Sequence, residues 1–457
     1  MSTSRPLIGV LTAGELARKV VHMGVGTIAF AVAYLGPTWS AVCALAALLA
    51  NLFVLPHVGG RRLWREHETK KGSSIGIVLY PFTILLLILF YWQRLEVATA
   101  VWGILAFGDG MASVVGQAIG KNKLGWNPKK SWEGTIAYWL FGTIAASTLL
   151  VWTARIAYQR EVDLGFAIAV GAIAALFAAA IESLPQGIDD NLGVPLLTSL
   201  VVLGLVQSQD VWPTLDLQAL LIAAAIGGAI NAALAVPAYL AKSVSLSGMI
   251  AGWIIGVMIW TFGGWQSFLL LLAFFVAGTA ATKLGYRRKA KEKLAQEAGG
   301  RRGAKHALAN TSVAAVAAVF AMITPHETIY FLAFAAAFAT ALGDTLGSEI
   351  GQLYGRRTFL ITTLKPVPRG TEGAVSLEGT LAGLAGSIAI ATLGWATGLY
   401  PVLGIVVVSI AAFLGTTLES VIGATLEKRG LLDNEAVNFL NTLTGALLAV
   451  AIGWLVL

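Results

Sequence analysis

The sequence predicts an all-α polytopic membrane protein made of two tandem helical bundles related in parallel. Three observations predict it. Hydrophobic residues make up 57% of the 457-residue chain and charged residues only 12%, against about 25% charged in a soluble domain. Apolar stretches long enough to cross a bilayer, roughly 17–25 residues, recur from Val20 to the last residue. Finally, a set of acids, lysines and glycines in the first half returns in the same order in the second.

About fifteen spans are expected, at residues 20–36, 38–55, 74–92, 98–118, 134–152, 165–183, 194–208, 218–240, 247–262, 265–283, 306–323, 329–353, 375–394, 401–424 and 438–457. The domains are then 1–208 and 218–457, joined by a 209–217 linker. The 51 glycines suit helices that meet through small faces. Of the 31 Lys and Arg, all but Arg94, Arg155 and Arg160 fall on one side of this topology. The positive-inside rule therefore puts the N-terminus in the cytosol, the C-terminus outside and the charged loops at the cytosolic face of a cell (inner) membrane. The net charge of +7 is a topological signal on this reading, and no nucleic-acid partner is expected. Cys43, the only cysteine, excludes intramolecular disulfides and cysteine metal clusters. The polar N-terminus up to Lys19 shows no small-residue cleavage site, so no cleaved signal peptide is expected.

The stretch from Gly108 to Thr135 organises the first half. Asp109 lies near the expected inner end of its span; a carboxylate costs about 2.5–3.5 kcal/mol at mid-helix on the insertion scale, and an intramembrane acid is functional by default. Lys121, Lys123, Lys129 and Lys130 follow in a loop and can hold a polyphosphate as point charges. Glu133 opens the next helix, whose first-turn amides attract anions. Capping alone would also explain an acid there. Glu182 ends the sixth span, and Asp189-Asp190-Asn191 forms a turn on the same side. Adjacent acids repel unless a cation relieves them, and Mg2+ does so through one or two carboxylates plus substrate phosphates.

In the second half, Gly343-Asp344 parallels Gly108-Asp109, and Ser376-Leu377-Glu378-Gly379-Thr380 parallels Ser131-Trp132-Glu133-Gly134-Thr135. Arg356, Arg357, Lys365 and Arg369 lie between them. Glu419-Ser420 matches Glu182-Ser183, and Asp433-Asn434 is read against Asp190-Asn191. The basic loop from Lys283 to Lys305 has an amphipathic stretch, Ala290–Ala298, suited to anionic lipid. Asn310, in an apolar helix, needs a polar partner, and Asn438 and Asn441 open the last span. There is no G-x-x-x-x-G-K-[ST], H-E-x-x-H, C-x-x-C or nucleophile elbow. The five histidines are scattered, which argues against a zinc site.

Glu15-x-x-Arg18-Lys19-x-x-His22, Gly108-Asp109-x-x-Ala112-Ser113-x-x-Gly116 and Pro128-Lys129-Lys130-Ser131-x-Glu133-Gly134 resemble the phytol kinase and dolichol kinase family over about residues 15–207. From about 220 to 457 the chain is similar to the phytyl-phosphate kinase family of integral membrane proteins. The match rests on Arg302 with Leu308-Ala309-Asn310, Gly343-Asp344-Thr345-Leu346-x-Ser348-Glu349-x-Gly351, Gly370-Thr371-x-Gly373-x-Val375-Ser376, Glu419-Ser420-x-x-Gly423-Ala424 and Val437-Asn438-Phe439. Ala374 stands where that family has glycine, and Glu419 where it has aspartate.

The resemblance implies a gene fusion that performs two consecutive CTP-dependent phosphorylations of an isoprenoid alcohol, to the monophosphate and then the diphosphate. At the first site Asp109 and Glu133 would bind Mg2+ or activate the hydroxyl, with Lys121, Lys129 and Lys130 on nucleotide phosphates. Glu182, Asp189 and Asp190 would hold further metal. At the second, Asp344, Glu349, Glu378 and Glu419 are the acids, and Arg302, Lys365 and Arg369 the phosphate clamps. A cytidylyltransferase forming a CDP-lipid would use a similar Lys-Ser-x-Glu-Gly loop. A lipid transporter favours inverted repeats with a site near the midplane, unlike the parallel copies here.

Overall fold

The computed structural model describes residues 13–55, 57, 75–184, 189–292 and 302–457. The basic loop Arg61–Lys71, Pro185 to Gly187, and residues 293–301, with most of the expected Ala290–Ala298 helix, lie outside the described residues. So do the side chains of Glu15 and Arg18. Two compact units divide the chain, Met1–Gln209 and Asp210–Leu457.

Unit 1 comprises α1 (Ala13–Gly26), α2 (Ala29–Leu49), α3 (Ile75–Phe90), α4 (Leu95–Ile119), α5 (Trp132–Tyr158), α6 (Leu164–Ser183) and α7 (Asp190–Gln207). Unit 2 comprises α8 (Leu217–Leu240), α9 (Leu246–Lys283), the short α10 (Tyr286–Lys291), α11 (Ala304–Ile323), α12 (Glu327–Tyr354), α13 (Leu377–Ala396), α14 (Leu403–Glu427) and α15 (Asn434–Val456). Among the described residues twelve helices are long and apolar enough to span a membrane, and α3 is a shorter apolar helix. The protein is a multi-pass membrane protein.

Two of the twelve are broken by glycine. The 38 residues of α9 would measure about 57 Å if straight, nearly twice the ~30 Å hydrocarbon core. Gly264 sits at φ 70°, ψ −176°, a state open only to a residue without a Cβ. Gly248 and Ile255 before this break line the same pocket as Phe268 and Phe274 after it, so the chain reverses there. Gly36 in α2 adopts the same state, φ 68°, ψ 177°, just before Pro37. The expected fifteen spans are therefore not matched one for one: span 20–36 is divided between α1 and the start of α2, and twelve helices reach spanning length among the described residues.

Short hairpins interrupt the helices. β1 (Lys123–Leu124) pairs antiparallel with β2 (Asn127–Ser131), and β3 (Thr358–Leu360) with β4 (Ala374–Ser376). Each hairpin ends on a serine that caps the next helix. Ser131 Oγ accepts from Gly134 N at 3.3 Å, and Ser376 Oγ from Gly379 N at 3.1 Å.

The acid-bearing helices α4 and α12 are the most buried in their units. Each crosses the following helix at glycines. A Cβ on Gly134 would lie 2.9 Å from the Ala112 carbonyl oxygen, and one on Gly379 would lie 2.5 Å from that of Gly347. Gly116 and Gly351 face the same crossings, within 4 Å of Ser131 and Ser376. In unit 2 the core around α12 is mostly alanine and phenylalanine, with Phe334 through Ala339 fully buried. Packing through small faces is what holds helices together where lipid removes the hydrophobic drive between them.

Gly379→Ala is therefore expected to destabilise the protein by about 1–3 kcal/mol through overpacking against backbone. Gly252→Ala, with nothing within 4 Å of the new methyl, should be neutral or up to about 1 kcal/mol stabilising. Thermal midpoints in detergent check this, and equal midpoints for the two variants would contradict so close a crossing.

Candidate functional site

In unit 1 a π-helical turn, Ile104–Gly108, immediately precedes Asp109. Such a turn carries one extra residue and re-aims the side chains after it. The helix then runs on to Ile119, so Asp109 lies inside α4 and not at its end. Lys19 Nζ donates to Asp109 Oδ2 at 2.7 Å, and His22 Nε2 stands 3.7 Å from the same oxygen. His22 Nε2 is also 3.1 Å from the Leu105 carbonyl, which only accepts, so Nε2 carries the proton. The His22 ring packs 4.5 Å from Tyr80, whose hydroxyl accepts from Trp102 Nε1. On the other side of α4, Gly108 lets the buried Tyr138 ring approach; a Cβ there would meet it at 3.0 Å.

Lys130 forms an ion pair with Glu182 and lies 3.5 Å from Asp190 Oδ2. Asp109, Lys130, Glu182 and Asp190 are close enough to act on one another's charge. Unit 1 thus gathers three carboxylates, Lys19, Lys130 and His22 at one pole. At its opposite end the fully buried Glu96 accepts from Arg160 at 2.6 Å, with Arg94 at 3.7 Å.

Other expected residues stand apart. Lys129 is exposed while Lys130 turns inward, because adjacent strand residues face opposite ways. The side chain of Lys121 is exposed, and its backbone N–H donates to Glu133. Glu133 also accepts from the Asn122 backbone N–H and side-chain amide, at 3.1 and 2.8 Å. It thereby ties the loop to the start of α5. Glu378 accepts from Arg356 N at 3.3 Å in the matching place. Asp189 caps α7, just as Asp433 caps α15. This corrects the sequence register by one residue: Asp190 corresponds to Asn434, not to Asp433.

In unit 2, Asp344 and Glu349 on α12 and Glu419 and Glu427 on α14 form one acidic cluster. Glu349 is buried in an ion pair with Lys289 of α10, whose ammonium also donates to the Thr282 carbonyl. Among the described residues no lysine or arginine is ion-paired with Asp344, Glu419 or Glu427. Lys365 and Arg369 lie on the exposed β3–β4 loop, without an ion pair among the described residues. Asn310 is buried and donates to the His306 carbonyl at 2.9 Å. Asn438 is buried on α15, which meets α11 where Thr442 donates to the Ala309 carbonyl.

Sequence reasoning missed Glu427 and Lys289, and gave Lys19 no role beyond its place in Glu15-x-x-Arg18-Lys19-x-x-His22. Glu427 follows Glu419 by eight residues, about 80° round a regular helix. The π-helical turn Gly423–Glu427 adds one residue and brings it back to the same face. A 3.6-residue period contains no sign of that insertion.

No group of three or more His, Cys, Asp or Glu among the described residues has the spacing to enclose a metal. Mg2+ needs only one or two protein carboxylates where substrate phosphates supply its remaining ligands.

The family described as "Integral membrane protein DUF92" matches residues 229–446. An uncharacterized membrane protein of Synechocystis, sll0875, is 44% identical over 203 residues, covering 44% of this chain and 79% of that protein. This chain belongs to the DUF92 family. The Arabidopsis protein VTE6, chloroplastic, is 37% identical to this DUF92 protein, over 46% of the chain and 66% of the relative. A soybean protein named probable phytol kinase 2, chloroplastic, is 29% identical over 41% of the chain and 64% of its own length. The DUF92 chain thus spans just under two thirds of these two plant relatives. No solved structure matches.

In this DUF92 protein, Lys289→Met alone would leave Glu349 charged and unpaired in a buried place, a cost of about 3–5 kcal/mol. The double variant Lys289→Met/Glu349→Met should recover most of it. Thermal unfolding in detergent measures the cycle, and additive losses would show that the pair is not coupled.

Proposed function

We propose that this protein phosphorylates an isoprenoid alcohol such as phytol, geranylgeraniol or farnesol in two steps, with CTP as donor and Mg2+. Unit 1 makes the monophosphate and unit 2 the diphosphate, which makes the chain a fusion of two kinase halves. The observation that carries the reading is the pole of unit 1, where Asp109, Glu182 and Asp190 meet Lys19 and Lys130. The soybean relative named a probable phytol kinase supports it.

Phosphoryl transfer needs positioning and charge neutralisation more than covalent help. Lys19 and Lys130 neutralise the acids at rest and would turn to the nucleotide phosphates when a metal-bound triphosphate arrives. Glu182 and Asp190 would hold Mg2+, which would supply neutralising charge to the phosphates. Asp109, inside the helix and next to His22, is placed to accept the proton of a prenol hydroxyl entering from the bilayer. Glu133 holds the lysine loop in register with α5. In unit 2 the acceptor is itself a phosphate, so no strong base is needed. Its acids, Asp344, Glu419 and Glu427, lack paired cations among the described residues and suit metal; Arg302, Lys365 and Arg369 suit phosphate. Both reactions are assigned to the cytosolic face on the lysine and arginine distribution.

Membranes given γ-labelled CTP and farnesol test the scheme. Asp109→Asn should lower monophosphate formation at least about 100-fold, the loss typical of a group that acts on the reacting centre. Asp344→Asn should let monophosphate accumulate and abolish diphosphate. Diphosphate made from the alcohol by Asp344→Asn would refute the division of labour. Release of pyrophosphate with a CDP-linked product would replace kinase by cytidylyltransferase.

A further inference from the structure

In unit 2, α8, the two arms of α9 and α11 enclose a half-open, largely apolar pocket. Leu234 and Ala238 of α8, Ile255 of the first α9 arm and Leu271 and Phe275 of the second form its walls. Arg302, His306 and Asn310 supply its polar end.

Arg302 is the unusual member. Its backbone is pinned, with its N–H donating to the Ser243 carbonyl at 3.2 Å and its carbonyl accepting from Ser245 N at 3.0 Å. The residue is only 8% exposed. The guanidinium sits over the Phe274 ring, 5.7 Å from its centroid, in space that Gly278 leaves open. A Cβ at Gly278 would lie 2.8 Å from one guanidinium nitrogen. Among the described residues the guanidinium has neither an ion-pair partner nor a hydrogen-bond acceptor. Glu349, whose charge it feels, is already bound to Lys289. Burial lowers Arg302 to about 10, with Glu349 opposing that shift, so it is a cation at neutral pH. A desolvated cation with five unused donors is costly until an anion fills it. Planar bidentate capture of a phosphate is the geometry it offers.

We propose that this pocket is the acceptor site of unit 2, binding an isoprenyl monophosphate with its phosphate on Arg302 and its tail between α8 and α9. The inference rests on the reading of unit 2 as a prenyl-phosphate kinase and gives that reading a place. The combination selects the ligand. A prenol lacks the anion, inorganic phosphate lacks the tail, and a nucleotide would leave the aliphatic walls unfilled. Helix α8 presents Asn231, Leu234, Ala235 and Ala238 at spacings of three and four along one face. The Asn231 side chain donates to the Gly227 carbonyl of its own helix at 2.8 Å.

The test is photolabelling of the detergent-solubilised full chain with farnesyl monophosphate that carries a diazirine on its tail, without nucleotide. Labelled peptides should fall within residues 231–240 and 268–275. Farnesol should compete about tenfold more weakly than farnesyl monophosphate or worse, the minimum expected for loss of one charge-assisted contact. Inorganic phosphate and phosphatidic acid should not displace the label. Arg302→Met should weaken labelling by about tenfold or more, with partial retention in Arg302→Lys. Should Arg302→Met fail to fold, Ala235→Trp, which narrows the slot from the α8 side, should reduce labelling instead. Label elsewhere, equal competition by farnesol, or equal competition by phosphatidic acid would overturn the proposal. Diphosphate formation by a chain labelled elsewhere would remove the pocket and keep the kinase. Labelling of this pocket in a chain with no phosphotransfer would do the reverse.

Discussion

Everything at the two acidic poles depends on how closely the acid-bearing helix can approach the helix after it. In each unit that approach is backbone to backbone. Gly116 and Gly134 meet beside Ser131, and Gly351 and Gly379 meet beside Ser376. The serine is shared between the crossing and the cap of the next helix. The crossing therefore also fixes where the hairpin emerges and which of its side chains turns inward. Lys130 reaches Glu182 because β2 leaves the crossing in that register.

The two units use the same frame with different charge. At the first pole, lysines occupy the spaces between carboxylates. At the second, among the described residues, Lys289 neutralises Glu349 and leaves Asp344, Glu419 and Glu427 to repel one another. Charges buried within a bundle persist only when function or pairing compensates their desolvation. The paired pole is stable as it stands and can exchange its lysines for a ligand. The acidic pole is relieved when cationic charge arrives.

Helix irregularities set the detail. π-helical turns lie beside Asp109 and between Glu419 and Glu427, and glycines at positive φ break α2 and α9. The first kind re-aims an acid by one residue. The second turns one long apolar run into two antiparallel arms, which lets unit 2 enclose a pocket between α8 and α9.

The sequence by itself determined the membrane class, the approximate place of most spans and the acids that recur. Those depend on composition and on period, which are local properties of the chain. It also marked Gly134 and Gly379 as partners of the acids, through the repeated Ser-x-Glu-Gly. Only the tertiary structure decided which charges meet. Lys19 and Asp109 are distant in sequence, as are Lys289 and Glu349, and no local pattern records either pair. Lys129 and Lys130 look equivalent in sequence until a strand sends them to opposite faces. Glu427 joins its cluster only because a single inserted residue rotates it into line, and Arg302 becomes a buried cation because Gly278 and Phe274 fold around it. Such contacts come from side-chain packing at long range, where one residue of register or one missing methyl group decides the outcome.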